Sequence, residues 1–162
     1  MNTFLRAALL ILTIGGGVFG WIISIGPTLA ADSVPHMLGA GGALLLYTGI
    51  VLAGVALAFD ATKIWPVVGA LLVQLVWFSS PGLVYHLSGG LSVWMVFLME
   101  EGPFKVNLGA DFTVGFGTHA PWGFGINLVS FALLILVAIS PRARDAQPAV
   151  PADGDALRAP RR

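Results

Sequence analysis

The stretch Ile64–Met99, IWPVVGALLVQLVWFSSPGLVYHLSGGLSVWMVFLM, holds no Lys, Arg, Asp or Glu. A helix rises ~1.5 Å per residue, so about 20 apolar residues cross a ~30 Å hydrocarbon layer. The stretch is too long for one such crossing and too short for two with a turn between them. Its breakers are Pro81-Gly82 and Gly89-Gly90. Pro81 has no amide hydrogen for the carbonyl of Trp77, so it bends a helix there, a distortion tolerated in membranes when Ser79 or Ser80 satisfies the freed group. The pattern therefore predicts a helix over 64–87, with Leu91–Met99 lying along the outer interface, where Trp94 and its amphipathic kind settle.

Working outward, three more stretches lack charge: Ala7–Ala31, Val34–Phe59 and Phe112–Pro141. Helices are expected at 7–29, 35–59, 64–87 and 119–140. Ser33 with Pro35, and Thr118 with Pro121, read as an N-cap followed by Pro in the first turn. The expected fold class is an all-α integral membrane protein. Residues 1–140 would form a four-transmembrane-helix bundle with a small extracytoplasmic cap over 88–118. Within that cap, Phe104, Val106 and Leu108 alternate up to Gly109-Ala110-Asp111, and Phe112, Val114 and Phe116 alternate after it, which reads as a β-hairpin. Residues 141–162 are Ala, Pro, Asp and Arg without periodicity, the composition of a disordered cytoplasmic tail.

Composition points the same way. The chain is 57% hydrophobic and 10% charged with a mean hydropathy of +0.89, whereas a soluble domain carries about a quarter charged residues. No basic patch suits nucleic acid. The absence of Cys excludes disulfide frameworks, thiolate metal sites and dithiol redox chemistry. Arg6, Lys63, Arg142 and Arg144 fall on one side of four crossings, so the positive-inside rule predicts a multi-pass protein of a bacterial inner membrane with both termini cytoplasmic. A rival reading takes the first apolar run, ending at Thr28-Leu29-Ala30-Ala31, as a cleaved secretory signal; the run is longer than the usual signal core.

Chemistry-bearing residues gather at the outer face of that arrangement. His36, His86 and His119 stand there with the carboxylates Asp32, Glu100, Glu101 and Asp111. The three histidines with Glu100 could bind a metal ion, and a single imidazole could ligate a haem or chlorophyll-type pigment. The plainer alternative has each His capping a helix end in water. Within the spans, Gln74 and Tyr85 share one helical face and Asn127 and Ser130 another. Together they could line a cavity for a quinone or other amphipathic ligand, or instead join helices through hydrogen bonds worth about 0.6 kcal/mol. No ionisable side chain lies deep in a span, which argues against proton pumping or ion-coupled transport. Gly15–Gly17 with Gly20, and Gly39, Gly41 and Gly42, offer small surfaces for close helix approach, either to each other or to another protein. No hydrolase or kinase motif occurs.

These features point first to a non-catalytic accessory or stabilising subunit of a larger membrane complex. Its partners would be the lipid bilayer and other membrane subunits docked on the Gly-rich faces. Second comes a membrane oxidoreductase or cofactor-binding protein using the histidines, and third a small transporter or binder of a lipophilic ligand.

Overall fold

Two long apolar helices open the chain, as their uninterrupted hydrophobic runs require. The computed structural model describes residues 1–97, 104–117 and 119–140. Helix α1 (Thr3–Leu29) is capped by the Asn2 side chain, which accepts from the Phe4 amide at 3.1 Å. It widens into a π-helical turn over Ile11–Gly15, where the Thr13 hydroxyl, 1% exposed, donates to the Leu9 carbonyl. Helix α2 (Val34–Phe59) starts after an extended Ser33 with Pro35 in its first turn, as the sequence indicated. The helices pack together through Gly17, which faces Ile50 and Val51, and Gly20, which faces the ring of Tyr47. Both are long and apolar enough to cross a membrane, and only 33% of the most apolar window of each is buried.

The four-helix expectation fails beyond residue 63. Helix α3 (Trp65–Val73) stops at Gln74, and the chain continues as strands β1 (Val76–Ser79) and β2 (Leu83–Ser88). The expected fourth helix, 119–140, is strand β6 (Gly123–Asn127) followed by α4 (Leu128–Ile139), a helix of 12 residues. Its cap is Asn127, whose Oδ1 accepts from the Val129 and Ser130 amides, and not Thr118, which lies outside the described residues. The protein is thus a pair of long helices joined to a six-stranded antiparallel sheet, not an all-α four-helix bundle. Local chemistry explains the change. Val76, Trp77 and Phe78 are β-branched or aromatic and favour a pleated surface, while Gly115, Gly117, Gly123 and Gly125 would each cost a helix about 1 kcal/mol. Pro81-Gly82 is a hairpin turn closed by the Ser80 amide donating to the Leu83 carbonyl at 2.9 Å, not a helix kink.

The cap expected over 88–118 is part of the same sheet. Leu91–Phe97 forms β3, and the alternating segments form β4 (Phe104–Leu108) and β5 (Asp111–Phe116), with Gly109 between them at φ +128°. These last two do not form the expected hairpin: β4 pairs with β3, and β5 pairs with β2. The strand order is β4-β3-β6-β1-β2-β5, so the two-residue connection Gly109-Ala110 joins opposite edges.

Such a connection forces the sheet to curl. Strands β2 and β3 lie three positions apart, about 14 Å in a flat sheet, yet Ser88 and Leu91 are three residues apart, a reach of at most ~11 Å. Two ring contacts confirm the curl. His86 of β2 meets Trp94 of β3 with centroids 4.8 Å apart, and Lys105 of β4 sits 5.9 Å from the Trp77 ring of β1. At the tight end the turns are bonded to one another, the Gly109 amide donating to the Gly90 carbonyl at 2.7 Å, with Gly90 at φ +85°. That end abuts α1 at Gly16. The opposite half of the helical pair packs with α3 and α4 around Leu9, Leu57, Val67 and Leu133.

Candidate functional site

The register decides which side chains enter the curl. Directly paired residues share a face, so Trp94 pairs with Lys105 and Asn127, and Trp77 pairs with Gly125, all facing inward. Ser88, Ser92 and Asn127 are all but fully buried there. The convex face carries Leu91, Val106, Leu108, Phe116 and Phe124, each substantially exposed. The concave face thus mixes these polar residues with the buried Trp94 and Val96, while the convex face exposes apolar side chains.

His86 is the centre of the concave face. Its side chain is 15% exposed, its Nδ1 lies 3.3 Å from Oδ2 of Asp111 on the neighbouring strand, and the edge of Trp94 closes over it at 75°. The indole Nε1 of Trp94 donates to Ser92 Oγ at 3.1 Å. Among the described residues, Ser88 Oγ alone is a buried side-chain polar atom without a hydrogen-bond partner. The Tyr47 hydroxyl reaches in from α2, lying 2.9 Å from the Ser88 carbonyl and 3.0 Å from the Asp111 carbonyl, and so ties both strand ends to the helices. Chemically, this is an imidazole–carboxylate pair in which the half-exposed Asp111 stands beside a largely buried His86, with one indole, that of Trp94, edge-on to the imidazole.

The other histidines lie elsewhere. His36 is 73% exposed, with Nδ1 2.9 Å from Asp32 Oδ1 at the start of α2. The imidazole beside Asp32 holds that carboxyl below its ordinary value. His119 is exposed in the segment before β6. No group of three or more metal-ligating side chains forms among the described residues; Glu100 and Glu101 lie outside them.

Of the cavity candidates, Gln74 and Asn127 sit at junctions between helix and strand, Tyr85 lies within β2 and Ser130 in the first turn of α4; the side chains of Gln74, Tyr85 and Asn127 bond to the backbone. Gln74 Nε2 donates to the Ala70 carbonyl at 3.1 Å, and its Oε1 accepts the Gly89 amide at 2.8 Å. The Tyr85 hydroxyl donates to the Val73 carbonyl at 2.7 Å. The Asn127 amide donates to the Leu75 carbonyl at 2.8 Å, so the two junctions bond to each other. Two shallow depressions occur away from these residues, one between α1 and α2 at Trp21 and Thr48, the other where Ser24 and Ala43 meet Asp111. Each holds about 160 Å³, below the ~300 Å³ lower bound usual for ligand pockets.

Sequence reasoning missed Arg6 as a structural ligand: its Nη2 donates to the carbonyls of Leu57 and Ala58 at 3.2 and 2.8 Å, capping the last turn of α2. A basic residue near the carbonyl end of a helix is the expected chemistry, but only the antiparallel pairing of α1 and α2 makes it available. Against known protein families, curated proteins and solved structures, the chain matches none.

Proposed function

We propose that this chain is a small multi-pass membrane protein whose α1–α2 pair crosses the bilayer, and that it serves as a non-catalytic accessory or stabilising subunit of a membrane complex. The observation that carries the reading is the outward display of large apolar side chains along both helices, including Phe4 at 79%, Leu45 at 77% and Leu52 at 61% exposure. Exposed apolar patches on soluble monomers rarely exceed a few hundred Å², and two whole helices far surpass that. Arg6 bonded to the end of α2 places Arg6 and Lys63 at one end of the pair, and the positive-inside rule assigns that end to the cytoplasm.

The feature that supports a subunit role is the outer stripe of α2. Leu38, Gly42, Leu45, Gly49 and Leu52 recur at the heptad spacing of a helix seam, and a side chain at Gly42 or Gly49 would meet nothing within 4 Å. Alternating Leu and Gly lets a partner helix approach closely, the source of affinity between helices in lipid. The test is co-purification in mild detergent with Gly49→Leu and Leu45→Ala as variants. The reading expects a native complex larger than the monomer that both variants shrink. A monomer in the wild type, extracted without carbonate-resistant membrane association, would refute it.

A further inference from the structure

We propose that the curled sheet lies inside the bilayer, in the leaflet on the Asp32–His36 side, with its convex face packed against lipid acyl chains. The inference rests on the α1–α2 pair crossing the membrane and extends it to the rest of the chain.

Depth along α1 and α2 is the first argument. The tight end of the sheet touches α1 at Gly16, where an added Cβ would lie 2.5 Å from the carbonyl carbon of Gly89. Gly16 to Leu29 is 14 residues of helix, or about 20 Å from end to end at ~1.5 Å per residue. The Gly89–Gly90 turn therefore sits near the bilayer middle. Strand β5 runs beside α2 from Asp111, bonded to Tyr47, to Val114, whose carbonyl oxygen would be 3.9 Å from a Cβ at Gly39. From Tyr47 to Gly39 is about 12 Å of helix, and from Asp111 to Val114 about 10 Å of strand. The strand and helix thus climb together toward the outer interface, so the sheet stands beside the helical pair and not beyond its end.

Surface chemistry is the second argument. Convex residues near the tight end are aliphatic: Leu91, Val106 and Leu108, the last 80% exposed. Those near the Gly82 and Gly117 end are aromatic: Phe97, Phe116, Trp122 and Phe124, with Phe116 74% exposed. Aliphatic residues at depth and aromatic residues at the rim reproduce the layering of a membrane-facing surface. The polar Ser88, Ser92 and Asn127 turn into the curl, away from lipid, where Ser92 and Asn127 find partners within the protein and Ser88 Oγ does not.

Chain length is the third. Helix α4 has 12 residues and reaches about 18 Å, and the 5 residues of β6 add about 17 Å. Helix α3 with β1, of 9 and 4 residues, reaches about 27 Å. Neither helix spans a ~30 Å layer alone, but the α4–β6 composite is long enough to and the α3–β1 composite nearly is. Gln74 and Asn127 mark the junctions at mid-depth and close the backbone bonds that a break in lipid would leave open.

The chain has no Cys, so single nitroxide labels can be placed at Leu108, Val106, Phe116 and Phe124, with Ile11 on α1, 69% exposed and outside the α2 stripe, as the lipid control and Ser33 as the water control. Four separate exposed sites guard against one variant failing to fold. In lipid nanodiscs, the ratio of collisions with oxygen to collisions with a water-soluble nickel chelate should match Ile11 at Leu108, fall through Val106, and reach interfacial values at Phe116 and Phe124. Chelate-dominated values like that of Ser33 at all four sheet sites, with Ile11 still in lipid, would overturn the inference while leaving the crossing intact. Chelate-dominated values at Ile11 as well would overturn both.

Discussion

The contact of Gly16 with the Gly89–Gly90 turn makes a sharp prediction, because it sets backbone against backbone. A Cβ at residue 16 would lie 2.5 Å from the Gly89 carbonyl carbon and 2.7 Å from both its oxygen and the Gly90 nitrogen, against the 3.4–4 Å of ordinary contact. No rotamer can relieve this, so the helix or the turn must move by about 1 Å, an overpacking worth about 1–3 kcal/mol. The same movement strains the 2.8 Å bond from the Gly89 amide to Gln74 Oε1. Leaving that buried donor unpaired costs about 1–3 kcal/mol. The two terms share one displacement, so about 3 kcal/mol is a reasonable total. Ala gains about 1 kcal/mol over Gly in helix propensity, which leaves Gly16→Ala destabilised by about 2 kcal/mol. Gly15 meets nothing within 4 Å, so Gly15→Ala keeps only the gain. Denaturation of the two variants in lipid bicelles, followed by circular dichroism, should separate them by about 3 kcal/mol, a factor above one hundred. Equal stabilities would refute the reasoning, since these adjacent helical residues differ chiefly in what stands opposite them.

Three further outcomes follow from the same structure. Tyr47→Phe leaves two carbonyls without the hydroxyl that ties them to α2; it should cost about 1–3 kcal/mol in the same assay, and an unchanged midpoint would show that the bond is not made. Asn127→Ala removes the cap of α4 and should cost about 1 kcal/mol, with Asn127→Asp largely sparing it. Asp60 Oδ1 accepts from the Thr62 amide and hydroxyl, which hold its carboxyl below the ordinary 3.8. A depressed folded value means its contribution is present above about pH 4 and lost as the pH falls through that lowered value, so Asp60→Asn should flatten the acid arm of the stability profile, and an identical arm in both proteins would contradict it.

The sequence made the first half of the fold legible because α1 and α2 are helices all the way through, so length and lack of charge suffice. The expected 7–29 and 35–59 became Thr3–Leu29 and Val34–Phe59, and glycine packing between them was found at Gly17 and Gly20, although Gly16 turned out to serve the sheet. After residue 63 the same criterion misled. A continuous apolar run carries no periodicity to distinguish helix from strand, and Trp65–Ser79 is both in succession. Turn chemistry was also readable in two ways, since Pro81-Gly82 bends a helix or closes a hairpin with equal ease. Alternation correctly marked 104–108 and 112–116 as strands, although Asp111, assigned to the turn, is the first residue of β5; local spacing could not say that each pairs with a strand far along the chain.

That non-local pairing is what makes the site. Had β4 and β5 formed the local hairpin, Asp111 would sit at its tip with only the chain around it; because β5 instead pairs with β2, Asp111 stands opposite Ser88 and within 3.3 Å of His86. The curl then carries Trp94 across three strand positions to close over the imidazole. Composition could therefore nominate His86 and Asp111 as residues on one side of the molecule, while only the topology of six strands joins them. The same logic explains the two polar residues that interrupt the apolar runs. Gln74 and Asn127 resemble lining for a ligand when the spans are taken as unbroken helices. Where helix gives way to strand, an apolar segment must find partners for its freed backbone groups within itself. A lone amide side chain in the middle of such a run marks that change of structure.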